Sequence, residues 1–188
     1  MSKQPVATWQ SLGAYGYDWL HETEVLTSAH RPASLCYICQ DDRVLLLQRQ
    51  QPPFVGYWTA PGGKVQPGES PHEAVQREVK EETGLRIAQP ALRMIVVESG
   101  PHCSLNWLLF IFRSAVQGGR LQVSNEGPLQ WVNKDELHTV GMPAIDLMVS
   151  RYVLTNEAPY WAEAHFDENA RTKEWRVVPL HHIDQRKE

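Results

Sequence analysis

The sequence predicts an α+β domain, with a mixed β-sheet held between helices. Short runs of β-branched and apolar residues recur along the chain. A strongly capped helix interrupts them between Ser70 and Gly84, and a second helical period follows near Pro143. The chain has 188 residues, 42% hydrophobic and 21% charged, which suits one domain with a small extension and gives ample material for a core. We read residues 1–30 as an N-terminal arm and 31–188 as the domain, closed by a hairpin at about 159–179.

Taken in order, the arm is weakly patterned, although Tyr15, Tyr17, Trp19 and Leu20 could pack onto the domain. Ala33 to Gln40 reads as a strand, Asp41-Asp42 as a turn, and Arg43 to Gln48 as the returning strand. The run Val44-Leu45-Leu46-Leu47 suggests burial on both faces. Pro52-Pro53, Gly56, Pro61-Gly62-Gly63 and Pro67-Gly68 mark a long loop. Ser70 is then a good N-cap, Pro71 fits the first helical position, and Glu73 completes a capping box; the helix runs to about Thr83, where Gly84 suits a left-handed end. Arg93 to Glu98 and Ser104 to Val116 read as strands, Gly118-Gly119 as a turn, and Leu129 to Val132 as a short strand. Pro143 to Leu154 places Ile145, Met148, Val149, Tyr152 and Val153 on one side of a helix. Tyr160 to Phe166 and Trp175 to Val178 flank Asp167-Glu168-Asn169 as a terminal hairpin.

Several function classes are disfavoured. With 18 basic and 22 acidic residues the net charge is −4 and no basic stripe appears, so a nucleic-acid surface is not expected. The start of the chain lacks the pattern of a signal peptide. The longest apolar run, Trp107 to Phe112, is far short of the roughly 20 residues that span a membrane and reads as a buried strand. Three cysteines are too few for a disulfide scaffold, and the expected location is cytoplasmic. Cys36 and Cys39 have CxxC spacing, but residues three apart on a strand point to opposite faces, which argues against a metal site. Seven Trp are more than expected, and most read as packing.

The chemistry concentrates in Gly63 to Leu85. At 100° per residue, Glu78, Glu81 and Glu82 share an arc of about 100° beside the Val75–Val79 stripe, with Arg77 at its far edge. Three adjacent carboxylates repel one another. A solvated face would tolerate that, and divalent cations would relieve it. Oxygen ligands on a helix, with positions left for water and phosphate, suit Mg²⁺ or Mn²⁺. Gly62 and Gly63 allow close backbone approach, and Lys64 could meet a phosphate as a point charge.

This stretch resembles the Nudix box, G-x5-E-x7-R-E-U-x-E-E-x-G-U, with U bulky and aliphatic. Gly63, Glu69, Arg77, Glu78, Val79, Glu81, Glu82, Gly84 and Leu85 fill every specified place. Seven fixed residues would coincide by chance on the order of once in 10⁸ windows. The resemblance implies a Nudix α/β/α sandwich and a Mg²⁺- or Mn²⁺-dependent hydrolase of nucleoside diphosphate linkages. It makes Glu78, Glu81 and Glu82 metal ligands, often joined by the backbone at Gly63, and makes Glu69 and Arg77 the pair that holds the loop–helix–loop. The base in this family is either a box Glu or one from a later loop. Glu126, in Asn125-Glu126-Gly127, is the candidate fourth carboxylate, and Glu98 is a second choice.

Outside the box the sequence resembles the MutT branch, which implies an oxidised purine triphosphate such as 8-oxo-dGTP, cut to the monophosphate plus pyrophosphate in nucleotide-pool sanitation. The similarity lies in Tyr57 to Val65, in Met142 to Asp146, and in the terminal hairpin. It casts Thr59, Met142 and Asp146, together with Lys64, as substrate-binding residues. Thr59 stands where a mammalian member has Asn, and Met142 where that member has an aromatic residue. Asp146 also suits a helix N-terminus simply through the dipole. Pro101, 16 residues past the box, leaves open an ADP-ribose or other nucleoside diphosphate hydrolase, although a Gly-Pro turn explains it as well. A non-catalytic nucleotide sensor is the reading of another class, but such modules usually lose box carboxylates, and all four are present here. The expected partner is a small nucleotide; oligomeric state is not readable.

Overall fold

Among the described residues, ten strands form one mixed sheet, and two helices cover it from opposite faces. The structure is a computed structural model, and it describes residues 30–180 apart from 53, 123 and 158. The expected arm, 1–30, therefore lies outside the described residues except for His30.

The strands are β1 (Arg31–Gln40), β2 (Arg43–Gln48), β3 (Trp58–Thr59), β4 (Gly62–Lys64), β5 (Leu85–Ile87), β6 (Ala91–Ser99), β7 (Trp107–Gly119), β8 (Leu129–Asn133), β9 (Tyr160–Phe166) and β10 (Thr172–Pro179). The helices are α1 (Pro71–Thr83) and α2 (Ala144–Val153). The main path runs β10-β9-β6-β7-β1-β2-β3, while β4 pairs with β1, β5 with β7, and β8 with β2. β1 pairs with β7, and β6 with β9, in parallel.

The alternation of β1 and β2 divides the core. Cys36, Ile38 and Leu45 face α1, where Val75, Val79 and Phe112 complete a cluster. Tyr37, Val44 and Leu46 face α2 and join Ile145, Val149 and Val153. The leucine-rich run in β2 is thus buried on both faces, as expected. The CxxC thiols do diverge: Cys36 is in the α1 cluster and Cys39 packs against the α2 cluster.

Three expectations need correction. Gly118-Gly119 is not a turn but the end of β7, paired with Arg86 and Leu85 of β5. Gly119 has φ 97°, and a Cβ there would lie 2.5 Å from the Gly84 carbonyl, so the glycine serves close strand approach. The strand expected from Ser104 begins only at Trp107, after a short 3₁₀ turn, Cys103–Leu105. Trp107 to Phe110 is half-buried rather than buried; only Ile111 and Phe112 are enclosed.

Candidate active site

α1 is fixed by the caps its sequence announces. Ser70 Oγ accepts the Glu73 N–H, Glu73 accepts the Ser70 N–H at 2.9 Å, and Gly84 closes the helix at φ 74°. Ser34 Oγ, on β1, donates to the Pro71 carbonyl at 2.8 Å and ties the helix start to the sheet. Val75 and Val79 anchor one face, which leaves Glu78 and Glu82 turned toward β4.

The Gly62–Gly63 strand lies directly against these carboxylates. Glu82 Oε2 accepts the Gly62 N–H at 2.8 Å. A Cβ on Gly63 would sit 2.5 Å from the Glu78 carboxyl carbon, so any side chain there would displace that carboxylate. Gly62 has φ 147°, and a Cβ on it would lie 2.1 Å from the Ser34 carbonyl.

Arg77 organises the rest. Nε and Nη2 grip Glu69 at 2.7 and 2.9 Å, Nη1 reaches Glu78 at 2.7 Å and Glu81 at 3.2 Å, and Nη2 also donates to the Lys64 carbonyl at 3.2 Å. The hydrogen bond from Arg77 holds the Glu69 carboxyl down at about 2, and Glu69 in turn raises the Arg77 guanidinium further. Glu81 is 60% exposed and Glu78 only 16%, so Glu81 is the freer of the two to move toward a ligand.

Glu82 is the electrostatically stressed member. Burial, then the charges of Glu78 and Glu126, push its carboxyl up to about 8, against the Gly62 hydrogen bond and the Arg49 charge, which lower it. The fold therefore brings Glu126 near the box. Its loop is stitched to the end of β2 by Gln48 N–H to Pro128 O (2.8 Å) and Gln50 N–H to Glu126 O (3.1 Å). Glu98 stands elsewhere: burial and the charge of Asp146, not of the box, push it up to about 8. Asp146, on α2, is itself pushed up to about 7 by burial, with the Arg49 charge opposing, and its carbonyl accepts the Tyr37 hydroxyl at 3.1 Å.

The remaining expected site residues are placed as follows. Lys64 is exposed at the end of β4. Thr59 is 8% exposed on β3, and Met142 is 5% exposed within the α2 core cluster. The Trp58 N–H donates to the Gly141 carbonyl at 2.8 Å, which joins the entry to the box to the loop before α2. Sequence reading passed over Arg49. Its charge acts on both Glu82 and Asp146, so the guanidinium lies within electrostatic reach of the box and of α2. The available signal was a cation at the end of an apolar strand, just before the Pro52-Pro53 loop.

The donor set fits a hard divalent cation. It consists of carboxylate oxygens plus the Gly63 backbone, and a half-buried Glu82 crowded by like charges is what such a cation would relieve. Among the described residues no three of these side chains already converge as ligands. Glu78 is held by Arg77, and Glu82 by the Gly62 N–H.

A family model, the NUDIX domain, matches residues 29–156. The uncharacterized Nudix hydrolase YvcI of Bacillus subtilis is 31% identical over 150 residues, covering 78% of this chain and 93% of its own length. The human 8-oxo-dGDP phosphatase NUDT18 is 40% identical over 90 residues, covering 48% of this chain and 26% of that protein. The crystal structure of a mutator MutT protein from Bacillus halodurans superposes with a TM-score of 0.70 at 32% identity, covering 78% of this chain and 97% of that one. No helix among the described residues is long and apolar enough to cross a membrane. With the box running from β4 through one capped helix into β5, and this match across most of the sheet, the chain belongs to the Nudix family of hydrolases.

Proposed function

We propose that the protein hydrolyses an oxidised purine nucleoside triphosphate, such as 8-oxo-dGTP, to the monophosphate and pyrophosphate, using Mg²⁺ or Mn²⁺. The observation that carries the phosphate chemistry is the seating of Glu78 and Glu82 against the Gly62–Gly63 backbone, with Glu126 close by. Support for the base comes from similarity to a mutator MutT protein and to an 8-oxo-dGDP phosphatase. The second of these favours a further reading, in which the substrate is the diphosphate.

Glu78, Glu81 and Glu82 would hold the cation, with the Gly63 backbone and Glu126 as further ligands. When bound, the cation neutralises phosphate charge and activates water. The chain's own residues do the positioning. Arg77 fixes the rotamer of Glu78 and, through Glu69 and the Lys64 carbonyl, the path of the loop entering the helix. Lys64, exposed at the end of β4, and Arg49, whose charge acts on Glu82, would supply positive charge to the phosphates. Glu126, on a loop held to β2, would take the proton from water where it is not itself a ligand. Thr59, Met142 and Asp146 would meet the base, on segments joined by the Trp58 N–H to Gly141 carbonyl bond.

The test is a substrate panel with either cation: 8-oxo-dGTP, 8-oxo-dGDP, dGTP, ADP-ribose and NADH, with products resolved chromatographically. Preference for 8-oxo-dGTP by about tenfold over dGTP is expected. A tenfold preference for ADP-ribose would overturn the substrate reading, and turnover of none would overturn catalysis itself.

A further inference from the structure

The two faces of the sheet are covered unequally. On one face α2 packs against β6 and β7, and β9 contributes Ala162 and Ala164 to the same core. On the other face α1 packs against β1, β4 and β5, away from the β9–β10 edge. Strand register shows what lies beyond α1 on that second face. Val178, Trp161, Ile95 and Phe110 stand side by side across β10, β9, β6 and β7. In the neighbouring row Val97 pairs with Leu108, which in turn pairs with Pro32 of β1. Paired residues point to the same face, so these two rows make one apolar band. Phe110 touches the α1 core; Ile95, Val97, Leu108, Trp161 and Val178 belong to neither core cluster and are half-buried. The polar members of the band pair among themselves, with Trp161 Nε1 donating to Glu163 at 3.1 Å and Arg176 4.0 Å from Glu163.

The chain enters the sheet at this band. His30 Nε2 lies 3.0 Å from Ser99 Oγ, and Ser99 follows Ile95 and Val97 on the same face of β6. Pro32, two residues on, is exposed at the end of the second row. Ahead of His30 lie 29 residues that include Trp9, Leu12, Tyr15, Tyr17, Trp19 and Leu20. Four strand spacings, ~19 Å, separate β1 from β10, well within the reach of 29 residues. The other terminal segment, 181–188, offers only Ile183 among mostly polar and charged residues. A tethered apolar segment also competes from an effective concentration of roughly millimolar, which a second copy of the chain does not match at ordinary dilution.

We propose that the band of Ile95, Val97, Leu108, Trp161 and Val178 is the docking surface for the chain's own residues 1–29. The segment's aromatic residues cover the half of the sheet that α1 leaves open, and the band is thereby withheld from other molecules.

The experiment uses the full chain with photoreactive benzoylphenylalanine at position 161, and in a second variant at position 97. A third variant, with the probe at the exposed Arg151 on α2, is the control. Illumination of dilute monomer is expected to give an intramolecular product, mapped by mass spectrometry to residues 1–29, from positions 161 and 97 and at least tenfold less from 151. A product joining two chains would overturn the proposal by assigning the band to a second copy. Products confined to residues 30–188, none at all, or equal yields from the control would overturn it as well. The readout does not depend on turnover, so it stands apart from the proposed substrate.

Discussion

Arg77 grips Glu69 through two parallel hydrogen bonds, 2.7 and 2.9 Å, and with its remaining nitrogen holds Glu78 at 2.7 Å. One planar fork thus connects the loop before the helix to a carboxylate of the proposed cation site. A lysine keeps the charge but can offer only a point donor. Arg77→Lys is therefore expected to lower kcat/KM about 10–100-fold, the usual cost of disturbing a group that orients a metal ligand. The Mg²⁺ concentration for half-maximal rate should rise with it, while far-ultraviolet circular dichroism is unchanged. Wild-type activity in that variant would remove Arg77 from the positioning role.

Glu82 sits half-buried among like charges, and that arrangement separates stability from function. In Glu82→Gln the side chain can still accept the Gly62 N–H, and the repulsion with Glu78 and Glu126 is gone. The variant is expected to lose on the order of 10²–10³ in rate, several kcal/mol of barrier, while its Tm without added metal equals or exceeds that of the wild type. A Tm lowered by several degrees would show that the carboxylate stabilises the fold.

The parts readable in the sequence are those specified locally. Ser70, Glu73 and Gly84 announce the ends of α1 through cap chemistry alone, and the spacing of Glu78, Glu81 and Glu82 follows from helix geometry. The divergence of Cys36 and Cys39 needed only strand alternation. The strands β3, β4 and β5 span two or three residues each, too few for any period to register, and they exist because longer neighbours pair with them. Gly118-Gly119 looks like a turn locally and becomes strand only through β5. The parallel pairing of β6 with β9, and the reach of the Arg49 charge to both Glu82 and Asp146, join residues far apart in the chain and leave no local trace.

Glu98 and Asp146 make stability depend on pH in the less common direction. Burial and each other's proximity raise Glu98 from 4.5 to about 8; burial, against the Arg49 charge, raises Asp146 from 3.8 to about 7. Between the ordinary and raised values the folded state binds more protons than the unfolded chain, so the stability these groups contribute is full below about pH 4 and falls as pH rises toward 8. Glu98→Gln removes one of the two charges, the other groups around Asp146 being Tyr37 and Arg49. Urea midpoints at pH 5 and pH 8 should differ less in this variant than in the wild type, with the gain at pH 8. Parallel shifts at both pH values would refute the assignment.

Gly127 tests whether the Glu126 loop matters for chemistry or only for closing the sheet. Its φ is 147°, and a Cβ would lie 1.8 Å from the Gln48 carbonyl, a clash with backbone that no side chain can relieve. Gly127→Ala must therefore move the loop away from β2, straining the bonds from Gln48 N–H and Gln50 N–H that seat Glu126 beside Glu82. The expected result is a loss of about 1–3 kcal/mol in stability together with a fall in kcat. Glu126→Gln leaves the loop's backbone bonds intact, so it should reproduce the fall in kcat without the loss of stability. If Glu126→Gln keeps full kcat while Gly127→Ala does not, the loop shapes the site through its backbone and the carboxylate takes no part in the reaction.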